Sequence, residues 1–225
     1  MHASCHFEPL KVFNHEPPIA KCNPISANQQ KKRHRTMEKN QVTIHLHKPD
    51  AGEKLFFFAC GVIISVPLTL FIYQYSDLLL VGLDPFIVTL ISSAFFAPFI
   101  EEFAKAYPLF YRHGETERSI FNLALLVGLG FGIVELITYV SVIGAPVTDR
   151  LGGLFFHPAS TSVTAYGIAT KRPLPFYMAA VALHFSHNYL VLTSSSGFSS
   201  SIFVVAITAF ISWQLRNRTK EKIAM

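Results

Sequence analysis

Apolar residues form six long runs after Leu55, and short polar or charged connections separate the runs. A helix needs ~20 predominantly apolar residues to cross a bilayer, and each run approaches that length. The pattern therefore predicts an all-α fold, a polytopic transmembrane helical bundle of about six spans. The predicted spans are 55–75, 85–111, 120–143, 151–170, 174–193 and 198–215.

The first 50 residues have a different character, because they are rich in Pro, Asn, Gln, Lys and His and carry a basic cluster at 31–35. They show neither helical nor strand periodicity, and such a composition is typical of disorder. No apolar segment follows the early charges, so we expect no signal peptide. The chain is thus predicted to consist of a polar, basic, disordered arm over 1–50 and a six-helix membrane domain over 51–225.

Lysine and arginine concentrate in alternate connections between the apolar runs, with Arg150 as the exception. Cytoplasmic loops carry such an excess. With six spans, this pattern predicts that both termini are cytoplasmic, and we expect an integral protein of the plasma membrane. The residues that carry the pattern are Lys48, Lys54, Arg112, Arg118, Lys171, Arg172, Arg216, Arg218, Lys220 and Lys222.

The composition supports a membrane protein and excludes a nucleic-acid-binding one. Hydrophobic residues make up 51% of the chain and charged residues only 15%, against roughly 25% in soluble domains. The net charge of +5 lies at helix ends and in the arm rather than along one solvated face. The expected partner of the chain is therefore the lipid bilayer.

Several polar side chains nevertheless lie inside the apolar runs, where an ionisable group costs at least ~2.5 kcal/mol. At ~1.5 Å rise per residue, four different helices place them in one slab about 10 Å thick. This coincidence of depth predicts one buried polar site. Its members are Glu101, Glu102 and Lys105 in the second run, Glu135 in the third, His157 in the fourth, and His184, His187 and Asn188 in the fifth.

The spacing of these residues selects those that share a helix face. His184 and Asn188 are four residues apart and are therefore neighbours on one face. Lys105 lies four residues after Glu101 and three after Glu102, so it can neutralise one carboxylate and leave the other available. Glu135 shares its face with two glycines at 128 and 132, which allow a neighbouring helix to pack closely.

A carboxylate, two imidazoles and an amide oxygen can position a water molecule, with or without a metal. Catalytic Zn²⁺ has three protein ligands and an open position, and a glutamate that is not a ligand can act as general base. The candidate catalytic residues are Glu101, Glu102, His157, His184 and Asn188. The candidate ligands of a Zn²⁺ ion are Glu101, His157, His184 and Asn188. The expected supporting residues are Lys105, Glu135 and His187.

The order of these motifs resembles that of the PrsW-type intramembrane proteases, relatives of the CPBP group that includes the CAAX prenyl endopeptidases and is often called Abi. The motifs are Glu-Glu-Phe-Ala-Lys at 101–105, Gly-Phe-Gly-Ile-Val-Glu at 130–135, His157 followed by Thr161, and His184 followed by Asn188. The resemblance covers roughly residues 55 to 215.

The resemblance implies a membrane-embedded hydrolase, a metalloprotease or glutamate-dependent protease, that cuts a membrane protein or peptide within or near the bilayer. A glutamate of the 101–102 pair would activate water, while His157, His184 and Asn188 would hold that water or a metal. One departure is Leu136, where the family pattern commonly has Asn after the glutamate. No His-Glu-x-x-His motif occurs, which excludes an ordinary zincin.

Two other functions fit the same buried groups. A proton- or cation-coupled transporter or channel could use Glu and His as an ion path, although the sequence contains no internal repeat of the kind that many transporters have. A catalytically silent scaffold could instead bind membrane partners through the glycine-rich third helix. Neither the substrate nor the oligomeric state is specified by the sequence.

Overall fold

The computed structural model describes residues 3–4, 23–24, 28, 47–111, 116–194 and 197–224. The chain divides into two compact units, Met1–His45 and Leu46–Met225. In the first unit, the short strands β1 (Ala3–Ser4) and β2 (Asn23–Pro24) pair in antiparallel fashion. Most of the arm predicted over 1–50 lies outside the described residues, as does Arg112, so disorder of the arm stays a prediction.

The second unit is helical, which confirms the all-α prediction for the membrane domain. Each helix overlaps one predicted apolar run, and the third continues as a π-helical turn over Tyr139–Ile143. The helices are α1 (Ala51–Leu79), α2 (Pro85–Tyr111), α3 (Glu117–Thr138), α4 (Val147–Ala169), α5 (Pro173–Thr193) and α6 (Gly197–Arg218). Helix α1 begins before Leu55 because Asp50 and Glu53 form a capping box, in which the Asp50 side chain accepts the Glu53 N–H at 2.8 Å.

Three segments are long and apolar enough to cross a membrane: Ala51–Ser76, Pro85–Tyr111 and Glu117–Ile143. Their mean hydropathies are 2.5, 1.6 and 2.2. Helix α5 is less apolar because it contains His184, His187 and Asn188. The protein is an integral membrane protein, while the crossing by α4, α5 and α6 stays a prediction.

Helix α2 is interrupted at its middle by Pro98. It starts as α-helix over Pro85–Thr89, widens to π-helix over Leu90–Phe96, returns to α-helix over Ala97–Ala106 and ends as a 3₁₀ turn over Tyr107–Tyr111. A proline has no N–H and its ring crowds the carbonyl of the preceding turn. The widened turn relieves this crowding, and such turns are frequent at functional sites.

Helix α3 lies at the centre of the bundle and packs on α1 and α4. Glycines allow this close approach: a Cβ on Gly130 would lie 2.2 Å from the Phe58 carbonyl oxygen of α1. On the other face, a Cβ on Gly128 would lie 2.5 Å from the His157 carbonyl oxygen of α4. The predicted packing of a neighbouring helix against the glycine face of α3 is therefore confirmed, and it brings His157 beside α3.

Candidate active site

Four helices contribute polar side chains to one buried cluster. The α-helical part of α2 supplies Glu101, Glu102 and Lys105, α3 supplies Glu135, α4 supplies His157 and α5 supplies His184. All of these except Glu135 are at most 7% exposed. The structure thus brings together, in the interior of the bundle, six of the eight residues singled out from the sequence.

Glu102 is the most constrained carboxylate of the cluster. Its Oε1 atom accepts hydrogen bonds from Lys105 Nζ at 2.7 Å, Ser160 Oγ at 3.0 Å and His184 Nδ1 at 2.9 Å. When Nδ1 of a neutral imidazole donates its proton, Nε2 keeps a free lone pair. Glu102 therefore orients His184 so that its Nε2 is available to a ligand, as carboxylates commonly do behind metal-binding histidines.

Glu101 is the available carboxylate. Its Oε2 atom is buried and has no hydrogen-bond partner, and it lies 3.7 Å from His184 Nε2. That distance is too long for a hydrogen bond. The sequence allowed Lys105 to neutralise either glutamate of the pair, and the structure places Lys105 on Glu102. Glu101 is left with an unpaired oxygen facing an imidazole.

His157 lies between a cation and a carboxylate. Lys105 Nζ is 3.0 Å from Nδ1, and Nε2 contacts Glu135 Oε2. A lysine ammonium can only donate, so this geometry assigns the lone pair to Nδ1 and the proton to Nε2, which donates to Glu135. Glu135, expected to play a supporting role, thus holds the ring of a candidate ligand.

Aromatic rings pack around the histidines and exclude water from one side of the cluster. Phe131 lies 4.9 Å from the His157 ring, and Phe156 lies 5.1 Å from the His184 ring. His187 stacks on Phe156 at 4.8 Å, and its buried Nδ1 has no hydrogen-bond partner. His187 therefore supports the aromatic packing.

Asn188 bonds to the interrupted helix. Its Nδ2 donates to the Ser93 carbonyl oxygen at 2.8 Å. In the π-helical turn the Ala97 N–H donates to the Ser92 carbonyl. By the same spacing residue 98 would donate to the Ser93 carbonyl, but Pro98 has no N–H. Asn188 thus satisfies a backbone carbonyl that the proline leaves free, and its amide nitrogen is committed to that bond.

A cavity of about 170 Å³ opens beside this cluster, and polar and apolar side chains share its wall. Glu101, Glu135 and Asn188 line it together with Arg150. The guanidinium of Arg150 lies 3.6 Å from the centre of the Tyr139 ring, and its Nε is buried without a hydrogen-bond partner. Glu101 therefore belongs both to the buried cluster and to the wall of this cavity.

Two residues of the site were not identified from the sequence. Ser160 donates to Glu102, and it lies one helical turn after His157, so its position relative to that histidine was the available signal. Arg150 was interpreted only as an exception to the charge pattern of the loops. Its contact with Tyr139 depends on the π-helical turn Tyr139–Ile143 at the end of α3, which the apolar pattern does not reveal.

The donor set fits a divalent metal ion. Glu101, His157 and His184 each offer one ligand atom, and these atoms all lie within 4.8 Å of one another. Two ligands of a tetrahedral zinc, at about 2.0–2.1 Å from the ion, are roughly 3.3 Å apart. The 3.7 Å between Glu101 Oε2 and His184 Nε2 is close to that value. The unpartnered Glu101 oxygen is the further observation that favours a bound cation.

The arrangement can hold and activate a water molecule, as hydrolysis of a peptide bond requires. Comparison with known proteins bears on the same conclusion. The profile described as PrsW family intramembrane metalloprotease matches residues 53–213, which contain the whole cluster. Comparisons with curated proteins and with solved structures gave no match. The match covers well over half of the chain, and the chain belongs to the PrsW family of intramembrane metalloproteases.

Proposed function

We propose that this protein hydrolyses a peptide bond of a membrane-associated substrate, with a water molecule activated at Glu101. The observation that carries the proposal is the buried Oε2 of Glu101, which has no hydrogen-bond partner and lies 3.7 Å from His184 Nε2, on a residue that lines the cavity. A carboxylate in this position can accept a proton from the attacking water. The family supports a protease and does not favour an ion-coupled transporter.

In this proposal Glu102 positions other side chains of the site and does not take part in the reaction itself. Glu102 is held by Lys105 and Ser160, and it directs the His184 ring through Nδ1. Glu135 and Lys105 fix the His157 ring from both sides. Preorganised groups of this kind lower the barrier because they need not reorient during the reaction.

His157, His184 and one oxygen of Glu101 would hold the metal ion that the family implies, which we take to be Zn²⁺, and the second oxygen of Glu101 would accept the proton. A bound ion would lower the pKa of a water molecule and polarise the peptide carbonyl. For His157 to contribute a lone pair, one of its two present contacts, with Lys105 or with Glu135, must yield. Asn188 keeps its amide nitrogen on Ser93, so only its oxygen is available to water, metal or substrate.

We also propose that all six helices cross the membrane, with both termini in the cytoplasm. Helix α6 supports this because several of its apolar side chains face outward, with Phe203 71% exposed, while Thr208 and Ser201 are fully buried. An outward apolar face with polar residues inside suits a lipid environment. Thr116 pairs with Ile223, so the start of α3 and the C-terminal tail lie on one side, as an even number of spans requires.

The test is the appearance of new protein N-termini in membranes of cells that produce the chain. The parent protein is compared with Glu101→Gln, which removes the charge and keeps the size of the side chain. Glu221→Gln is the matched control, since it makes the same change outside the cluster. We expect cleavage products with the parent and the control and a loss of about 10²–10⁴-fold with Glu101→Gln. Equal cleavage by Glu101→Gln would refute the proposal.

A second measurement separates the two chemical types of protease. The parent and Glu101→Gln proteins are purified in detergent, and bound zinc is measured by mass spectrometry of the metal. Stoichiometric zinc in the parent and its loss in the variant support a metalloprotease. A parent that cleaves its substrate after complete removal of metal by a chelator would instead use Glu101 as a metal-independent base.

A further inference from the structure

A second cavity lies at the other end of α3 and has a different chemistry from the first. It has a volume of about 250 Å³. Arg118, on its wall, is 17 positions before Glu135 on the same helix, which corresponds to roughly 25 Å along the axis. This cavity is therefore separate from the candidate active site, and neither the family nor the proposed proteolysis accounts for it.

Three cationic side chains line this second cavity, against one carboxylate. Lys48 and Lys54 flank the start of α1, Arg118 belongs to the first turn of α3, and Glu221 belongs to the C-terminal tail. Neither lysine has an ion-pair partner among the residues that the structure describes. The cavity thus carries an excess of two positive charges, and its two lysines remain free to bind an anion.

The C-terminal tail holds Arg118 in place. The Nε of Arg118 donates to Thr219 Oγ1 at 2.6 Å, and one terminal nitrogen donates to the Thr219 carbonyl at 2.8 Å. Backbone bonds reinforce this contact, since the Glu117 N–H donates to the Lys222 carbonyl at 3.0 Å. A guanidinium has five N–H donors, so a fixed Arg118 keeps donors for a ligand beyond the two bonds to Thr219.

Beyond the charged groups and the polar Ser119 and Asn122, the wall is apolar. Leu123 and Leu126 continue the cavity along α3, one and two turns beyond Arg118 and Ser119. The lining is therefore cationic at the end of the helices and apolar toward their middle. Helices α1 and α3 both contain candidate membrane spans that begin here. A cavity of this kind matches a molecule with an anionic head and an apolar tail, oriented as in a bilayer.

We propose that this cavity binds the phosphate headgroup of an anionic glycerophospholipid, with Lys48, Lys54 and Arg118 on the phosphate and the acyl chain along Leu123 and Leu126. Basic pockets between transmembrane helices on the cytoplasmic side recognise such headgroups. The net positive charge favours an anionic lipid over a zwitterionic one. A lipid bound in this cavity would contact the start of α1, the start of α3 and the C-terminal tail.

The test uses the full-length protein in nanodiscs of phosphatidylcholine, with or without phosphatidylglycerol, and measures retained lipid by native mass spectrometry and the midpoint of thermal unfolding. The double variant Lys48→Gln/Lys54→Gln removes two exposed charges outside the helix core. The matched control Lys171→Gln/Arg172→Gln removes two charges from the connection between α4 and α5. Inorganic phosphate added to the phosphatidylcholine sample forms a separate arm.

We expect the parent and the control to retain phosphatidylglycerol and to unfold at a higher temperature in its presence. The Lys48→Gln/Lys54→Gln variant should bind it at least about tenfold more weakly and lose the temperature shift. Equal retention by that variant and the parent would overturn the proposal. If inorganic phosphate alone stabilised the protein as much as the lipid does, the proposal of a lipid ligand would be overturned and the site would be assigned to free phosphate. Because neither readout depends on proteolysis, the result is independent of the proposed activity.

Discussion

Two lysine–glutamate pairs of the same chemistry lie in contrasting environments. Lys105 Nζ is 2.7 Å from Glu102 Oε1, and both side chains are completely buried. Lys222 Nζ is 3.0 Å from Glu117 Oε1, but the Lys222 side chain is 58% exposed. The distances are similar, but water reaches Lys222 and not Lys105, whereas Glu117, with a side chain 8% exposed, is nearly as buried as Glu102.

The difference in exposure of the two lysines explains why the interior pair has further hydrogen-bond partners from the protein and the tail pair needs fewer. Burying two charges carries a large desolvation cost, which is offset only when the remaining donors and acceptors are also satisfied. Ser160 and His184 supply this for Glu102 Oε1, whereas the buried Oε2 of Glu102 has no hydrogen-bond partner, and His157 supplies it for Lys105. Water does the same for Lys222. The charges of the candidate active site are therefore coupled to the fold, and the charge on the tail is not.

The largest expected effect is that of removing the interior lysine. Lys105→Met leaves Glu102 buried with an uncompensated charge, and breaking such a pair costs about 3–5 kcal/mol. The free energy of unfolding in mixed micelles measures this cost. The double variant Lys105→Met/Glu102→Gln should recover most of it, because no lone charge remains. A single variant as stable as the parent would show that the interior pair does not hold the fold.

The second prediction is that the two histidines of α5 differ in their contribution to zinc binding, and the measurement is the zinc affinity of each variant. His184→Ala should abolish binding, since the Nε2 that faces Glu101 is lost. Glu102→Gln should weaken it by about 10–100-fold, the usual effect of a partner that orients a ligand. His187→Ala serves as the control and should bind normally, because His187 stacks on Phe156 and is not among the three residues whose ligand atoms cluster. Loss of zinc in the His187 variant would contradict this geometry.

Much of the fold could be predicted, because long apolar runs directly reflect helices that contact lipid or a core. Where a helix starts at a different residue from the predicted one, a polar side chain sets the start, as Asp50 does for α1 ahead of Leu55. The depth of the polar residues likewise predicted that four helices would contribute to one site. The relationship to the wider CPBP group and the plasma-membrane location stay predictions.

The partners within the site could not be predicted from spacing. Positions i+3 and i+4 are both neighbours on a helix, so the choice of Glu102 over Glu101 by Lys105 depends on Ser160 and His184 from other helices. The contact of Glu135 with His157 depends on the rotation of α3, which the glycine face sets. The bond from Asn188 to Ser93 requires the π-helical turn, which apolar periodicity does not show.

The third prediction concerns the hydrogen bond from Asn188 to the Ser93 carbonyl, whose loss should have an effect of intermediate size on stability. Asn188→Leu leaves the partly buried Ser93 carbonyl without a donor, at a cost of about 1 kcal/mol in the free energy of unfolding. In the Pro98→Ala background the backbone regains an N–H, so the same substitution should cost much less. The double-mutant cycle measures this coupling. Equal costs in both backgrounds would show that Asn188 does not act through the carbonyl that Pro98 leaves free.

The smallest effect is expected at the tail pair, because its lysine is exposed and its buried glutamate also accepts the Lys220 N–H at 3.0 Å. Lys222→Ala removes a partly solvated ion pair, and such pairs contribute about 0–1 kcal/mol. The effect should decrease as salt rises, because mobile ions screen exposed charges. The backbone bonds from Glu117 and Arg118 to the tail should hold it in place without the lysine. A salt-independent loss as large as that of Lys105→Met would mean that the tail pair is as shielded from water as the interior pair. In that case, exposure would not be what separates the two regions.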